Sequence, residues 1–526
     1  MKRRTFLKSL AGAALAGSIR PALSARLDYF KIHPFITAHP DAVFIMKTNV
    51  DSKHDSGGLL NAGKMFSSSV FQQVSDSEGA FPLSHRVVIK PNLTSRGKWQ
   101  DGYTTERSMG VITDVNFVEG VIRGMYSLGI DGSQFYVREV NGVENLTEGG
   151  YRRMGERTGA DVDIIPTSVD KLDSSRIVWK DIPKGVWFKR IPYLWPVNAA
   201  NTVLLNMAKF KTHAMGMTLC AKNLQGSIVS PYQRHCTAWN KKMDINIGHI
   251  QTGAKQKIYN NWQQHVNEGI PRWDRPGSDG GLWQETWAAR CLDNNSVTKP
   301  VLNIIEGIYG HDGHFIKGPH DGFAKDFMSN VIIFGQNAFH VDIVGTWLAG
   351  HEPGNFGLFH MAMERGMSRY LNPMDIPVYN WSDDGHATLA LLSSFERTPL
   401  KTYYLQRDYN SQNEDYWHLC NEPYDYGSAA VGSEKSRVPD TVSLNQNYPN
   451  PFNDQTCIEF ALNKSGPIYL DIVNARGQVV DVLVNRSMTA GLHRVIWNSG
   501  HYAAGTYFYR LRTRQHLLKK RMTLVK

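Results

Sequence analysis

Cysteine is scarce and never arranged as a pair. Cys220, Cys236, Cys291, Cys420 and Cys457 are scattered over 526 residues, and no two form a CxxC. That spacing excludes a zinc ribbon and a ferredoxin-like cluster. An odd number also leaves at least one thiol outside any intramolecular disulfide. Long apolar runs are missing too. Past the first 25 residues nothing approaches the roughly 18 apolar residues of a membrane-spanning helix. GxSxG, the P-loop, HExxH and a full GxGxxG are all absent. Their absence argues against a hydrolase elbow, a P-loop NTPase, a zincin and a familiar dinucleotide site. Charge of one sign is missing from the body of the chain. The net charge is +10, but residues 1–25 hold five bases and no acid. From Arg437 onward there are twelve Lys or Arg against five Asp or Glu. The stretch between is close to neutral, so no nucleic-acid partner is expected.

What is present is globular in composition, with 41% hydrophobic and 20% charged residues. The length suits about two to four domains. The N-terminus, MKRRTFLKSLAGAALAGSIRPALSA, has a basic start, a short apolar run and small residues before Ala25. Residues 1–25 therefore read as an export signal. Arg3-Arg4-Thr5-Phe6-Leu7-Lys8 resembles the twin-arginine motif, which implies the twin-arginine translocase as a partner. No cysteine lies near the cleavage point, which argues against a lipoprotein anchor.

A polar stretch, residues 427–441, reads as a linker. Beyond it, residues 442–526 alternate apolar and polar residues with period two. Ile458, Phe460 and Leu462 form one such row, and Ile468, Leu470 and Ile472 another. Turn signals such as Ala475-Arg476-Gly477 separate them. About six or seven short strands predict a small β-sandwich. Its NQNYPNPFN, AAGTYFYRL and basic final strand resemble the type A sorting domain of the type IX secretion system. That resemblance implies passage through the periplasm, then delivery to the cell surface or the medium. A carbohydrate-binding or adhesion sandwich is the other reading of such a tail.

Residues 26–426 alternate short apolar runs with helical patterns. RVVIK (Arg86 to Lys90), QFYVREV (Gln134 to Val140), DVDIIP (Asp161 to Pro166), VLLNM (Val203 to Met207), VLNIIEGI (Val301 to Ile308) and NVIIFG (Asn330 to Gly335) predict buried strands. Phe117, Val121, Met125 and Leu128 recur at helical spacing behind Thr113-Asp114, an N-cap signal. AFHVDIVGTWLA (Ala338 to Ala349) predicts another helix. The pattern is that of an α/β layered domain with a largely parallel or mixed sheet. Residues 241–298, rich in Trp, Gly and polar residues, break the rhythm and are expected to form an insertion or lid.

Ligands of open α/β sheets sit at the carboxyl ends of strands. Four blocks fall there. They are VVIKPNL (Val87 to Leu93), NMAKFKTHAMGMTLCAKNLQGSI (Asn206 to Ile228), NIIEGIYGHDG with KGP (Asn303 to Pro319), and NVIIFGQNAFHVDIVGTWLAG (Asn330 to Gly350). With these blocks the body resembles the domain of unknown function 362 family, an α/β family. Glu306 stands where that family often has Asp. The four-cysteine iron–sulfur segments of some members are absent here.

Three kinds of chemistry fit the residues. In the first, Lys90, Lys211 and Lys222, with amides at a helix start near Thr218, bind a phosphate or carboxylate. Asn92 and Asn223 supply directional hydrogen bonds, and His213 a proton. In the second, Glu306, His311 and His314 hold a divalent metal, with His213, Asp312, His320 and Asp342 as further ligand types. In the third, Cys220 is a nucleophile served by His213. Two function classes remain. One is an exported enzyme acting on a small anionic substrate, with Lys211, His213 and Asp342 as catalytic groups. The other is a non-catalytic exported binding or surface protein. An enzyme needs Lys211, His213 and one of Glu306 or Asp342 near a common point.

Overall fold

The computed structural model describes residues 27–525 apart from 95–97, 99, 140–147, 164–168, 231, 233–249, 277–279, 407, 410–411, 414, 428–440, 448–449, 454 and 489. The export signal expected at 1–25 and most of the linker expected at 427–441 lie outside the described residues. So do Cys236 and the end of the strand expected at Asp161 to Pro166.

Ten strands form the central sheet. They are β1 (Val43–Lys47), β2 (Arg86–Pro91), β3 (Phe135–Arg138), β4 (Asp161–Asp163), β5 (Thr202–His213), β6 (Gly216–Thr218), β7 (Leu302–His311), β8 (Asp326–Gly335), β9 (Val378–Trp381) and β10 (Ala387–Ala390). Their order is β10-β9-β1-β8-β7-β5-β2-β3-β4, with β6 folded back on β5. From β7 to β4 the neighbours are parallel. β8 is antiparallel to both β7 and β1, so the sheet is mixed.

Both faces of the sheet are covered, and the strands show it by alternation. On β5, Val203, Leu205 and Met207 point to one core, and Leu204, Ala208 and Phe210 to the other. The first core is closed by α1 (Ser56–Val70), α2 (Val115–Tyr126) and α3 (Tyr151–Thr158). Asp114 caps α2 by accepting from the Asn116 N–H at 2.8 Å, as the Thr113-Asp114 signal anticipates. The second core is closed by α4 (Cys220–Asn223), α5 (Ala254–Asn267), α6 (Gly281–Val297), α7 (Ala338–Leu348) and α8 (Gly357–Glu364). Residues 241–298, expected as an insertion or lid, contribute α5 and α6. α6 is buried from Gln284 through Asn295.

A buried histidine ties these helices together. His265 on α5 donates to Glu285 on α6 at 2.7 Å and to Glu364 on α8 at 3.0 Å. Burial alone would depress its pKa, but the two carboxylates lift it to about 10. Because the folded pKa lies above the unfolded one, this stabilisation is complete below about pH 6.5. It is lost as pH rises toward 10. In urea unfolding, the parent chain should therefore lose stability relative to His265→Gln between pH 6 and 10. A difference that stays constant with pH would contradict the charged bridge.

The tail forms two antiparallel sheets. β11 (Ser443–Leu444), β12 (Gln455–Leu462) and β15 (Gly491–Asn498) make one. β13 (Gly466–Asn474), β14 (Val479–Met488), β16 (Gly505–Arg512) and β17 (Leu517–Leu524) make the other, in the order β14-β13-β16-β17. The rows read from the sequence, Ile458/Phe460/Leu462 and Ile468/Leu470/Ile472, both face the sandwich core.

Candidate functional site

The strand expected at Val203 to Met207 does not stop at Met207. β5 continues through Lys209, Lys211 and His213, all buried, so these residues belong to the strand and not to a loop after it. Lys209 and Lys211 are two residues apart and so share one phase of β5, but a register shift between them gives each different surroundings.

On the α4 side, one polar row crosses three parallel strands, because Asn206 is in register with Lys90 and with Asn303. Lys90 is fully buried and pairs with Glu139 at 2.7 Å. It also donates to the Asn223 side-chain oxygen at 3.2 Å. Asn223 donates in turn to the Lys90 carbonyl at 2.9 Å and to Asn206 Oδ1 at 2.8 Å. Asn206 donates to Asn303 at 2.8 Å. Burial lowers the pKa of Lys90, and Glu139 opposes that shift. Asn92 is equally committed. Its N–H donates to Thr113 Oγ1 at 2.9 Å, and its side chain turns back to the Thr94 N–H at 3.4 Å.

On the other side, Lys209 and Glu306 form an ion pair at 2.6 Å with neither side chain exposed. The Lys209 ammonium also stands 3.3 Å from the centre of the Tyr309 ring. Glu306 accepts from the N–H groups of Asp114 and Ile308, both at 3.2 Å. Tyr309 donates to Asp114 Oδ2 at 2.8 Å. Burial pushes the Glu306 carboxyl up to about 7 against the pull of Lys209.

At the carboxyl end of β5 the charge changes character. His213 turns tightly into β6 at Gly216, whose φ is +93°. Any Cβ there would stand 2.6 Å from the Phe356 ring. The His213 ring lies 4.5 Å from His314, edge to face, and His314 lies 4.2 Å from Phe315. Lys211 reaches over Phe315 at 5.6 Å. Burial holds His213 well below the ordinary imidazole pKa, and Lys222, His314 and Lys211 add to the effect. Burial likewise pushes His314 down to about 3, with Lys211 and Lys222 next in strength. The Met215 N–H donates to His213 Nδ1 at 3.1 Å, which leaves the ring proton on Nε2. Among the described residues the Lys222 ammonium takes no carboxylate partner. The result is two cations beside two neutral imidazoles, an arrangement suited to an anion.

Several expected roles are corrected by this geometry. The three lysines do not share one task, since Lys90 is committed to Glu139. The helix start near Thr218 is not free for a ligand. Asp342 on α7 accepts from the N–H groups of Cys220 and Ala221, at 2.7 and 2.8 Å, and so caps α4 itself. Burial raises the Asp342 carboxyl to about 7. The expected metal set of Glu306, His311 and His314 does not converge. Glu306 is with Lys209, and His314 is with His213. His311 is bonded through Nδ1 to Asp326 at 2.6 Å and through Nε2 to the Phe315 carbonyl at 2.5 Å. His320 is bonded to Asp312 at 2.7 Å. Among the described residues, no group of three or more His, Cys, Asp or Glu side chains is placed to hold a metal ion. Cys220 is no activated nucleophile, because burial raises its thiol pKa well above the ordinary value, and Asp342 adds to that. Sequence reasoning missed Glu139, Asn206 and the packing of His314 against His213. The one linear signal for Asn206 was a polar residue at the inward phase of an apolar strand.

The comparisons with known proteins match this two-part architecture. Residues 87–347 match the model of a domain of unknown function, DUF362. Residues 446–525 match the secretion system C-terminal sorting domain. Among solved structures the chain is similar to PorZ of Porphyromonas gingivalis, described as an essential bacterial surface component of the type-IX secretion system. The match is 15% identical, covers 28% of this chain and 20% of that one, and has a TM-score of 0.14, too low to carry an argument about shape. No curated protein matches. No helix among the described residues is long and apolar enough to cross a membrane. The chain therefore joins a domain of unknown function 362 to a C-terminal sorting domain that directs export through the type IX secretion system to the cell surface or medium.

Proposed function

We propose that the body is an exported receptor for a small anion, held by Lys211 and Lys222 and hydrogen-bonded by His213 and His314. The observation that carries this reading is the Lys222 ammonium, which lacks a carboxylate partner among the described residues and, with Lys211, adds positive charge around two buried imidazoles kept neutral. Binding is favoured over catalysis because the expected acid–base partners are engaged elsewhere. Glu306 pairs with Lys209, and Asp342 caps α4. Residues 1–25 belong to the same proposal as a twin-arginine signal, a route that carries folded proteins across the inner membrane before the tail acts.

Titration calorimetry of the full chain with inorganic phosphate and with acetate tests the site. The double variant Lys211→Met/Lys222→Met should lose at least about a hundredfold in affinity, since each charge-assisted bond contributes about 1.5–3 kcal/mol. Its thermal midpoint should stay close to that of the parent. Unchanged anion affinity in the double variant would sink the reading.

A further inference from the structure

From the cationic cluster, aromatic rings continue outward to solvent. The His314 ring meets Tyr403 edge to face at 5.4 Å. Tyr403 stacks on Tyr416 at 5.4 Å with their planes 13° apart. Trp417 stands edge-on to both, at 5.3 and 5.1 Å. Tyr416 is 58% exposed, which is unusual for so large a ring packed this closely to others.

This platform is fastened to the site. Thr402 Oγ1 donates to the His213 carbonyl at 2.8 Å. Thr402 and His418 exchange backbone hydrogen bonds at 2.9 and 2.8 Å, which clamps the Tyr403 segment to the Tyr416–Trp417 segment. Thr212 Oγ1 and the Gly313 N–H both donate to the Lys401 carbonyl, at 3.0 and 2.8 Å. The end of β5, the His314 loop and the aromatic segment are therefore one preorganised unit.

Space decides which way a ligand extends. Inward, the cavity behind Lys222, walled by Met215, Met217, Trp287 and Phe359, holds about 20 Å³. That is room for about one water molecule. A ring is too large for that cavity, whereas Tyr403, Tyr416 and Trp417 offer ring faces toward the exposed side.

We propose that the ligand is a ring-bearing anion, its phosphate or carboxylate at Lys211 and Lys222 and its flat ring face on the Tyr403–Tyr416–Trp417 platform. This rests on the anion site proposed above and names its ligand class. Aromatic rings and the apolar face of a sugar share the required chemistry, because both offer a flat surface to a π-system.

The test compares three probes by calorimetry on the full chain: inorganic phosphate, phenyl phosphate and a hexose phosphate. At least one ring-bearing phosphate should bind roughly tenfold or more tightly than inorganic phosphate, the scale of one stacking contact. The arm with the larger gain identifies the ring as aryl or sugar. In Tyr416→Ala/Trp417→Ala that preference should collapse toward one, and in Tyr416→Phe it should survive. If inorganic phosphate binds in a Lys211- and Lys222-dependent way but neither ring adds affinity, the platform is overturned and the anion site stands. The platform is likewise overturned if the alanine variant keeps the preference. If no probe binds in a lysine-dependent way, the anion site and the platform fall together.

Discussion

Replacing Lys209 with Met should cost roughly 3–5 kcal/mol of unfolding free energy, the scale for removing one partner of a buried ion pair. The double variant Lys209→Met/Glu306→Leu should cost far less. The reason is desolvation. Neither side chain is exposed, and the pair is 2.6 Å long. Alone, each charge keeps its burial penalty and loses its attraction; removed together, the pair leaves only a packing change. The single variant should also depend on pH. Glu306 sits at about 7 even with Lys209 present, and without that ammonium its carboxyl rises further. A folded pKa above the unfolded one means that the native state holds the proton more tightly. Stability is then retained at low pH and lost as pH rises through the folded value. Lys209→Met should accordingly come closest to the parent near pH 5 and fall furthest behind above pH 8. Urea unfolding across that range checks both statements. Equal costs for the single and double variants would show that the pair is not the source of the strain.

Much of the architecture could be read from one dimension because its causes are local. The Asp114 cap acts on an N–H two residues away. The sandwich rows follow strict alternation. The true length of β5 was hidden because a buried strand is recognised by unbroken apolar residues, and Lys209, Lys211 and His213 interrupt them. What makes those residues tolerable inside, Glu306 for Lys209 above all, lies on a strand about a hundred residues away in sequence. The HxxH pair misled for a conformational reason. Gly313, between the two histidines, adopts a φ of +80°, and Phe315, just after the second, one of +52°, so the loop turns sharply around His314. His311 is sent to Asp326 and His314 to His213. Asp342 looked like a ligand because a carboxylate one turn into a helix is a common one. That its partners would be the amides of Cys220 and Ala221 is tertiary information. The aromatic platform left only a thin trace, the clusters TYYL and DYW, nearly two hundred residues beyond His213.

Gly226→Ala should be as damaging as the loss of a buried charge, about 3–5 kcal/mol, although it adds a single methyl group. A Cβ at this position would stand 1.9 Å from Glu139 Oε1 and 2.5 Å from its Cδ. Glu139 has little freedom to retreat, since its other oxygen accepts from Lys90 at 2.7 Å and from the Leu93 N–H at 3.2 Å. Displacing it strands Lys90, whose ammonium is already opposed by burial. The damage then runs into the site. Asn223 is anchored by Lys90 and Asn206, and the next residue back is Lys222. A slackened α4 no longer holds that ammonium against His213 and His314. Anion affinity should therefore fall together with stability, although Gly226 touches no ligand. Gly466→Ala is the matched control. An added Cβ meets nothing there within 4 Å, so its cost should stay within about 0.5 kcal/mol. If Gly226→Ala unfolds like that control and binds phosphate normally, Glu139 is free to move, and the Lys90 pair does not position α4.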